Sequence, residues 1–143
     1  MELSTMSRAL KTSGYLGLAV MMSVGLYQNS LLASGGQVPG WLVGGHAHLG
    51  VLSILAVVTG FAIPAFDLAG TLKSATIGLF LVGQWLLPLT IWAGEGAGLL
   101  VLMPTIFLWG LCLIVSMLIL AWAAWSTDHA TEQVPPTGAP ADD

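Results

Sequence analysis

Four long apolar segments dominate the sequence, separated by short stretches that carry glycine, proline or charged residues. They cover approximately residues 13–32, 43–66, 74–92 and 98–125. At 1.5 Å per residue in a helix, each segment can cross a hydrocarbon core about 30 Å thick. The short connections predict antiparallel neighbours. The predicted fold class is therefore all-α, an integral membrane four-helix bundle formed by residues 1–125.

Composition supports a membrane location for most of the chain. Of the 143 residues, 56% are hydrophobic and 7% are charged, whereas a soluble domain carries about 25% charged residues. Lipid is therefore the expected solvent for the four segments. Residues 126–143 are different, because they are rich in proline and acidic residues, and we expect a disordered cytoplasmic tail there.

The few basic residues predict the orientation. Arg8 and Lys11 precede the first segment, and Lys73 lies between the second and the third. In an antiparallel bundle all three lie on one side, which the positive-inside rule makes cytoplasmic. Both termini are therefore predicted to be cytoplasmic, in a multi-pass protein of the cell membrane. The first segment lacks a cleavage site and is expected to be retained, and without a basic patch nucleic-acid binding has no support.

Polar groups inside a membrane span are costly, so each one is a candidate for function. They gather in the half of the bundle opposite the basic residues, which we call the outer half. Asn29 ends the first segment, His46 and His48 open the second, and Gln84 lies near the middle of the third beside Trp85.

The two histidines are two positions apart, so on a regular helix their side chains diverge by roughly 160° and cannot both face one small ligand. Below His46 the helix carries a face of mostly small residues, and below His48 a bulkier one. His46 is therefore expected to face the bundle interior, and His48 a second helix, a neighbouring subunit or the interface. The first face comprises Gly50, Ser53, Val57, Gly60 and Pro64; the second comprises Leu52, Leu55, Thr59, Ala62 and Phe66.

A histidine within the membrane, flanking glycines and deep tryptophans are together typical of a b-type haem pocket, because imidazole ligates haem iron. Copper or zinc would require more histidine, cysteine or carboxylate ligands than this helix face offers. A histidine at the headgroup level can also be simply an amphipathic interfacial residue. The candidate cofactor-binding residues are His46, His48, Gly50, Ser53, Trp85, Asn29 and Gln84, with His46 or His48 as the metal ligand.

The chain resembles the small four-helix haem membrane proteins typified by styrene oxide isomerase. The resemblance rests on the end of the first segment (25–29), a Gly/Pro loop, a histidine opening the second segment, the Phe-Ala-Ile-Pro stretch at 61–64 and Trp85. The His-x-His pattern is also similar to helices of haem-copper oxidase-like and nitric-oxide-response membrane proteins.

The resemblance to the isomerase family implies a trimeric protein in which ferric haem b, held by a histidine, acts as a Lewis acid on an epoxide. The spacing to the Phe-x-x-Pro stretch matches the family better from His46, whereas the local Ala-His-x-Gly pattern matches from His48. The family's isomerase also uses an asparagine below its histidine and a tyrosine in the third helix. The corresponding stretches here, 52–54 and 90–92, contain neither residue.

Three functions follow as hypotheses. The first is haem binding for redox, gas-binding or Lewis-acid chemistry. The second is an epoxide isomerase acting on a small apolar substrate. The third is a non-enzymatic accessory or assembly subunit of a membrane complex. Expected partners are membrane lipid and either further copies of the chain or a larger complex. A transporter has less support, since the sequence shows no inverted repeat and no row of charges along a span.

Overall fold

The computed structural model describes residues 2–132, and the side chains of residues 7–127. This part of the chain folds into four α-helices without β-strands, which confirms the all-α prediction. The predicted tail lies outside the described residues from position 133 onward, and the fourth helix continues to residue 132. The helices are α1 (Glu2–Ala33), α2 (Gly40–Ala65), α3 (Gly70–Ile91) and α4 (Ile106–Glu132).

Each helix contains a stretch that is long and apolar enough to cross a membrane, so the prediction of a multi-pass membrane protein is confirmed. The first three helices begin before the predicted apolar segments, because helical hydrogen bonding continues where the chain turns polar. Helix α4 instead begins at Ile106, eight residues inside its predicted segment, and extends past the predicted end at residue 125. The candidate spans are Ser7–Ala33, Gly40–Ala65, Gly70–Gly96 and Leu100–Thr127.

Glycines allow α1 and α2 to pack closely along their length. A Cβ atom placed on Gly14 would lie 2.7 Å from the backbone oxygen of Ser53, so only glycine permits this approach. Farther along the same seam, Gly25 of α1 faces α2 and Gly50 of α2 faces α1. Small residues serve this purpose in lipid, where van der Waals packing must hold helices together.

Helix α4 packs mainly against α3, whereas α1, α2 and α3 contact one another. Gly83 admits α4 closely, because a Cβ there would lie 3.0 Å from the backbone oxygen of Trp109 and would overlap Leu113. Nearer to Lys73 along α3, the Ser116 hydroxyl of α4 donates a 3.0 Å hydrogen bond to the backbone oxygen of Thr76. Residues of all four helices meet in an apolar cluster toward the end that carries Lys11 and Lys73, which we call the basic end. The cluster contains Leu10, Ala56, Ile63, Leu68, Ile77, Phe80, Leu120 and Ala123.

The connection between α2 and α3 is a tight helix-ending turn. The Leu68 amide donates to the Ile63 oxygen at 3.1 Å, and the Asp67 amide donates to the Pro64 oxygen at 3.3 Å. This pair of bonds is the Schellman pattern, whose left-handed residue here is Asp67 with φ 49°. Buried Leu68 anchors the turn to the apolar cluster. Because α3 begins at Gly70, Lys73 lies in its first helical turn and is buried, with 6% of its surface exposed.

The connection between α3 and α4 is less regular. A π-helical turn, Trp92–Gly96, continues α3, and a 3₁₀ segment, Leu100–Thr105, leads into α4. π-Helical turns widen the backbone locally and are frequent near functional sites. Here the turn carries the exposed Glu95 and places Trp92 back against α2.

Candidate functional site

His46 faces the interior, as the small residues below it predict. Its ring packs on α1, where a Cβ added to Gly25 would lie 3.1 Å from the ring carbon Cε1. The ring is half-buried. Its Nδ1 atom is fully buried, and within the described part of the chain this atom has no hydrogen-bond partner. His46 is thus a packed residue with one polar atom unsatisfied.

His48 lies on a different face and is exposed. Its Nδ1 atom is 2.8 Å from the backbone oxygen of Gly44, one turn earlier in α2. A carbonyl oxygen only accepts hydrogen bonds, so Nδ1 carries the proton and donates it. In the neutral ring the lone pair therefore resides on Nε2, the nitrogen farther from the backbone.

The surroundings of His48 are apolar and face the membrane. With Ala47, Val51 and Leu52 it lines an open groove of about 260 Å³. Ser53, near the middle of α2, is five residues away, which corresponds to about 7–8 Å along the helix axis. The exposed side chains Val51 and Leu55 continue the same surface. His48 therefore lies on an exposed, apolar surface of α2, within a segment apolar enough to cross a membrane.

A buried polar network joins α1, α2 and α3 near mid-membrane. Gln84, fully buried, accepts a hydrogen bond from the Ser13 hydroxyl at 3.0 Å. Its Nε2 donates to the backbone oxygen of Ser13 at 3.2 Å and to the Ser53 hydroxyl at 3.3 Å. The Trp85 indole donates to the Ser13 hydroxyl at 2.8 Å. These bonds lock three helices in register with their polar groups satisfied.

The predicted site residues thus fall into separate groups. His46, Gly50 and Ser53 line the α1–α2 seam, where Gly50 packs on Met21. Ser53 also belongs with Gln84 and Trp85 to the mid-membrane network. His48 lies on the outer surface of α2, and Asn29 is exposed on α1. The structure does not gather all seven around one ligand.

Two residues contribute more than the sequence indicated. Ser13 stood at the predicted start of the first span, yet it accepts and donates within the central network. Its position four residues before Gly17, on the glycine face of α1, is the signal that could have placed it there. The ring of Trp92, at the end of the third predicted segment, packs on Gly45, and its Nε1 is buried without a hydrogen-bond partner in the described chain.

Trp109, a second tryptophan within the predicted spans, also has hydrogen-bond partners within the chain. Trp109 lies 3.0 Å from the Thr90 hydroxyl and 3.1 Å from the Thr105 hydroxyl, and donates to them. Both deep indoles, Trp85 and Trp109, therefore hold helices together. Neither indole is among the residues that line the groove at His48.

Metal-ligating side chains are dispersed. Among the described residues, no three histidine, cysteine, aspartate or glutamate side chains come together. A site built from several protein ligands is therefore not formed by this part of one chain. A haem iron differs, because its porphyrin supplies four nitrogens and the protein need supply only one axial ligand.

Comparison with known proteins assigns a family without assigning an activity. No curated protein and no solved structure matches the chain. Residues 6–143 match a family described as a domain of unknown function, and the chain accordingly belongs to that DUF8059 family.

Proposed function

We propose that this membrane protein binds b-type haem through His48, on the outer half of the membrane-facing surface of α2. The observation that carries the proposal is the contact between His48 Nδ1 and the Gly44 backbone oxygen at 2.8 Å. In the neutral ring this contact leaves the lone pair on Nε2, and the ring lines an apolar groove.

This arrangement is the one that metal-binding histidines use. A ligating histidine almost always donates its other ring N–H to a carbonyl or a carboxylate, which fixes the ring orientation and increases ligand basicity. His48 has that partner in Gly44. His46 does not, because its Nδ1 is buried and unpartnered. The second-shell bond therefore favours His48 over His46 as the ligand.

The membrane environment adds a second argument. A polar nitrogen that faces hydrocarbon loses its hydrogen bond to water and is costly to place there. Coordination by iron would satisfy Nε2 without requiring a polar neighbour. Around it, Ala47 leaves room for a flat group and Val51 and Leu52 provide an apolar wall for a porphyrin. Bound haem would supply one-electron transfer, gas binding or Lewis acidity.

One chain supplies only part of such a pocket. The groove of about 260 Å³ is open and lies below the range of about 300–1,000 Å³ typical of small-molecule sites. A haem on His48 therefore needs a second wall, which a further copy of the chain or a partner subunit would supply. The trimer implied by the resemblance to the styrene oxide isomerase family is one such arrangement.

The isomerase hypothesis receives less support from the geometry. An isomerase site would combine a histidine of α2 with Ser53, which lies on the seam side of that helix. Ser53 is fully buried and receives the hydrogen bond of Gln84. It faces α1 at Gly17, together with the side of α2 that carries His46. We therefore keep the proposal at haem binding.

The test is a visible absorption spectrum of detergent-purified protein, oxidised and dithionite-reduced, after expression with haem supplied. Wild type and His46→Gly should show a Soret band, and His48→Gly should lose it. Added imidazole should restore the band in His48→Gly, because it can occupy the vacated ligand position. Loss of the band in His46→Gly alone would refute His48 as the ligand. Colourless wild-type protein would refute haem binding, and copurification of a colourless chain with a larger complex would favour the accessory-subunit hypothesis.

A further inference from the structure

A second pocket lies at the opposite end of the bundle, between the α2–α3 connection and the end of α4. It has a volume of about 400 Å³. Unlike the groove at His48, it combines aromatic rings, hydroxyls and a carboxylate. Its principal lining residues are Phe66, Asp67, Leu72, Trp122, Ser126 and Thr127.

Within the described side chains, residues 7–127, Asp67 is the only charged one that lines the pocket. The nearest basic residue in sequence, Lys73, is buried and is not part of the lining. The pocket therefore has a local negative charge, although it lies at the basic end of the bundle. Charge complementarity favours a cationic ligand.

The backbone at Asp67 has a conformation that most residues other than glycine rarely adopt. Asp67 adopts φ 49°, the left-handed conformation that glycine occupies at no steric cost. The same connection does use a glycine where φ is positive, at Gly70 with φ 60°. Strained positions of this kind concentrate at ligand-binding sites.

The remaining walls suit an ammonium group that carries N–H donors. The rings of Phe66 and Trp122 can attract a cation through their faces. The Ser126 hydroxyl donates to the Trp122 backbone oxygen at 2.9 Å, so its oxygen can accept a bond from a ligand. The Thr127 hydroxyl, 3.3 Å from the Phe66 backbone oxygen, ties α4 to the connection.

We propose that this pocket binds the ethanolamine headgroup of a phospholipid. The pocket lies where α2 ends and α3 begins, and therefore at the membrane boundary, where lipid headgroups are concentrated. Asp67 and Ser126 both accept hydrogen bonds, which ethanolamine can donate and choline cannot. The site is independent of the haem proposal, because it lies at the opposite end of the bundle from His48.

The experiment is native mass spectrometry of the purified protein with phosphatidylethanolamine, phosphatidylcholine and phosphatidylglycerol of identical acyl chains. Wild type should bind the ethanolamine lipid about threefold to fivefold more tightly than the other two, since exposed ion pairs are weak. Asp67→Asn keeps a residue that tolerates the left-handed conformation, removes the charge, and should abolish the preference.

Glu95→Gln provides the matched control. It removes one carboxylate from an exposed position at the outer end of the bundle, so it changes the net charge equally and should leave the lipid preference intact. Equal binding of the three lipids by wild type would overturn the proposal. Retention of the preference in Asp67→Asn, or its equal loss in Glu95→Gln, would overturn it as well.

Discussion

Replacing Gln84 by methionine should lower the free energy of unfolding by about 1–2 kcal/mol. The substitution preserves an unbranched side chain of similar length but removes three hydrogen bonds, two to Ser13 and one to Ser53. Interhelical hydrogen bonds in membranes average about 0.6 kcal/mol, so three of them give about 2 kcal/mol. Part of this is recovered, because serine hydroxyls can instead bond to carbonyls of their own helix.

A double-mutant cycle isolates the contact from other effects of the substitution. Combining Gln84→Met with Ser13→Ala should show a coupling of about 0.5–1 kcal/mol, since the two side chains share one direct bond. The control cycle pairs Gln84→Met with Ser116→Ala. Ser116 bonds to Thr76, about 12 Å from Gln84 along α3, so the two changes should be additive within about 0.5 kcal/mol.

The assay is reversible unfolding in mixed micelles with increasing sodium dodecyl sulfate, followed by the circular dichroism of the helices. The reasoning is refuted if Gln84→Met is as stable as wild type or more stable. A coupling near zero between Ser13 and Gln84 would also refute it, because it would mean that the network does not hold the helices together.

The same titration tests the packing of α4 and the turn at Asp67. Gly83→Ala should destabilise by about 1–2 kcal/mol, because its new methyl group meets the Trp109 backbone; Gly78→Ala, which faces open space on the same helix, should be neutral or slightly stabilising. Equal effects of the two alanines would contradict the α3–α4 packing. Asp67→Gly should stabilise by about 0.5–1 kcal/mol, because glycine adopts a positive φ without strain. A less stable Asp67→Gly would show that the carboxylate supports the fold itself.

The fold was predictable from sequence because lipid imposes a simple requirement. Every backbone polar group in hydrocarbon must be bonded within the chain, so a long apolar segment in a small chain must be a helix. The helix ends were less predictable, since nothing in hydropathy marks where helical hydrogen bonding stops. Lys73 illustrates this: it was placed in a connection because it is charged, yet it lies buried in the first turn of α3.

The site was predictable only where a face of one helix decides the outcome. Small residues below His46 correctly placed that ring toward the interior. The bond from His48 to Gly44 spans one helical turn, a spacing that could have been examined in the sequence. The association of Ser13 with Gln84 could not, because it depends on how three helices are rotated against one another. Single-helix periodicity contains no information about that rotation.

The central network also has a consequence for how the chain is inserted into the membrane. Seventy-one residues separate Ser13 from Gln84, so the hairpin of α1 and α2 leaves the ribosome and enters the bilayer well before α3 is complete. During that interval the hydroxyls of Ser13 and Ser53 can bond only to their own helices or to water. When α3 packs against the hairpin, hydrogen bonds with Gln84 and Trp85 replace these temporary bonds. The full set of bonds to Gln84 can therefore form only when α1 and α2 have the rotation seen in the structure, because a misrotated hairpin would present unmatched polar groups to the third helix.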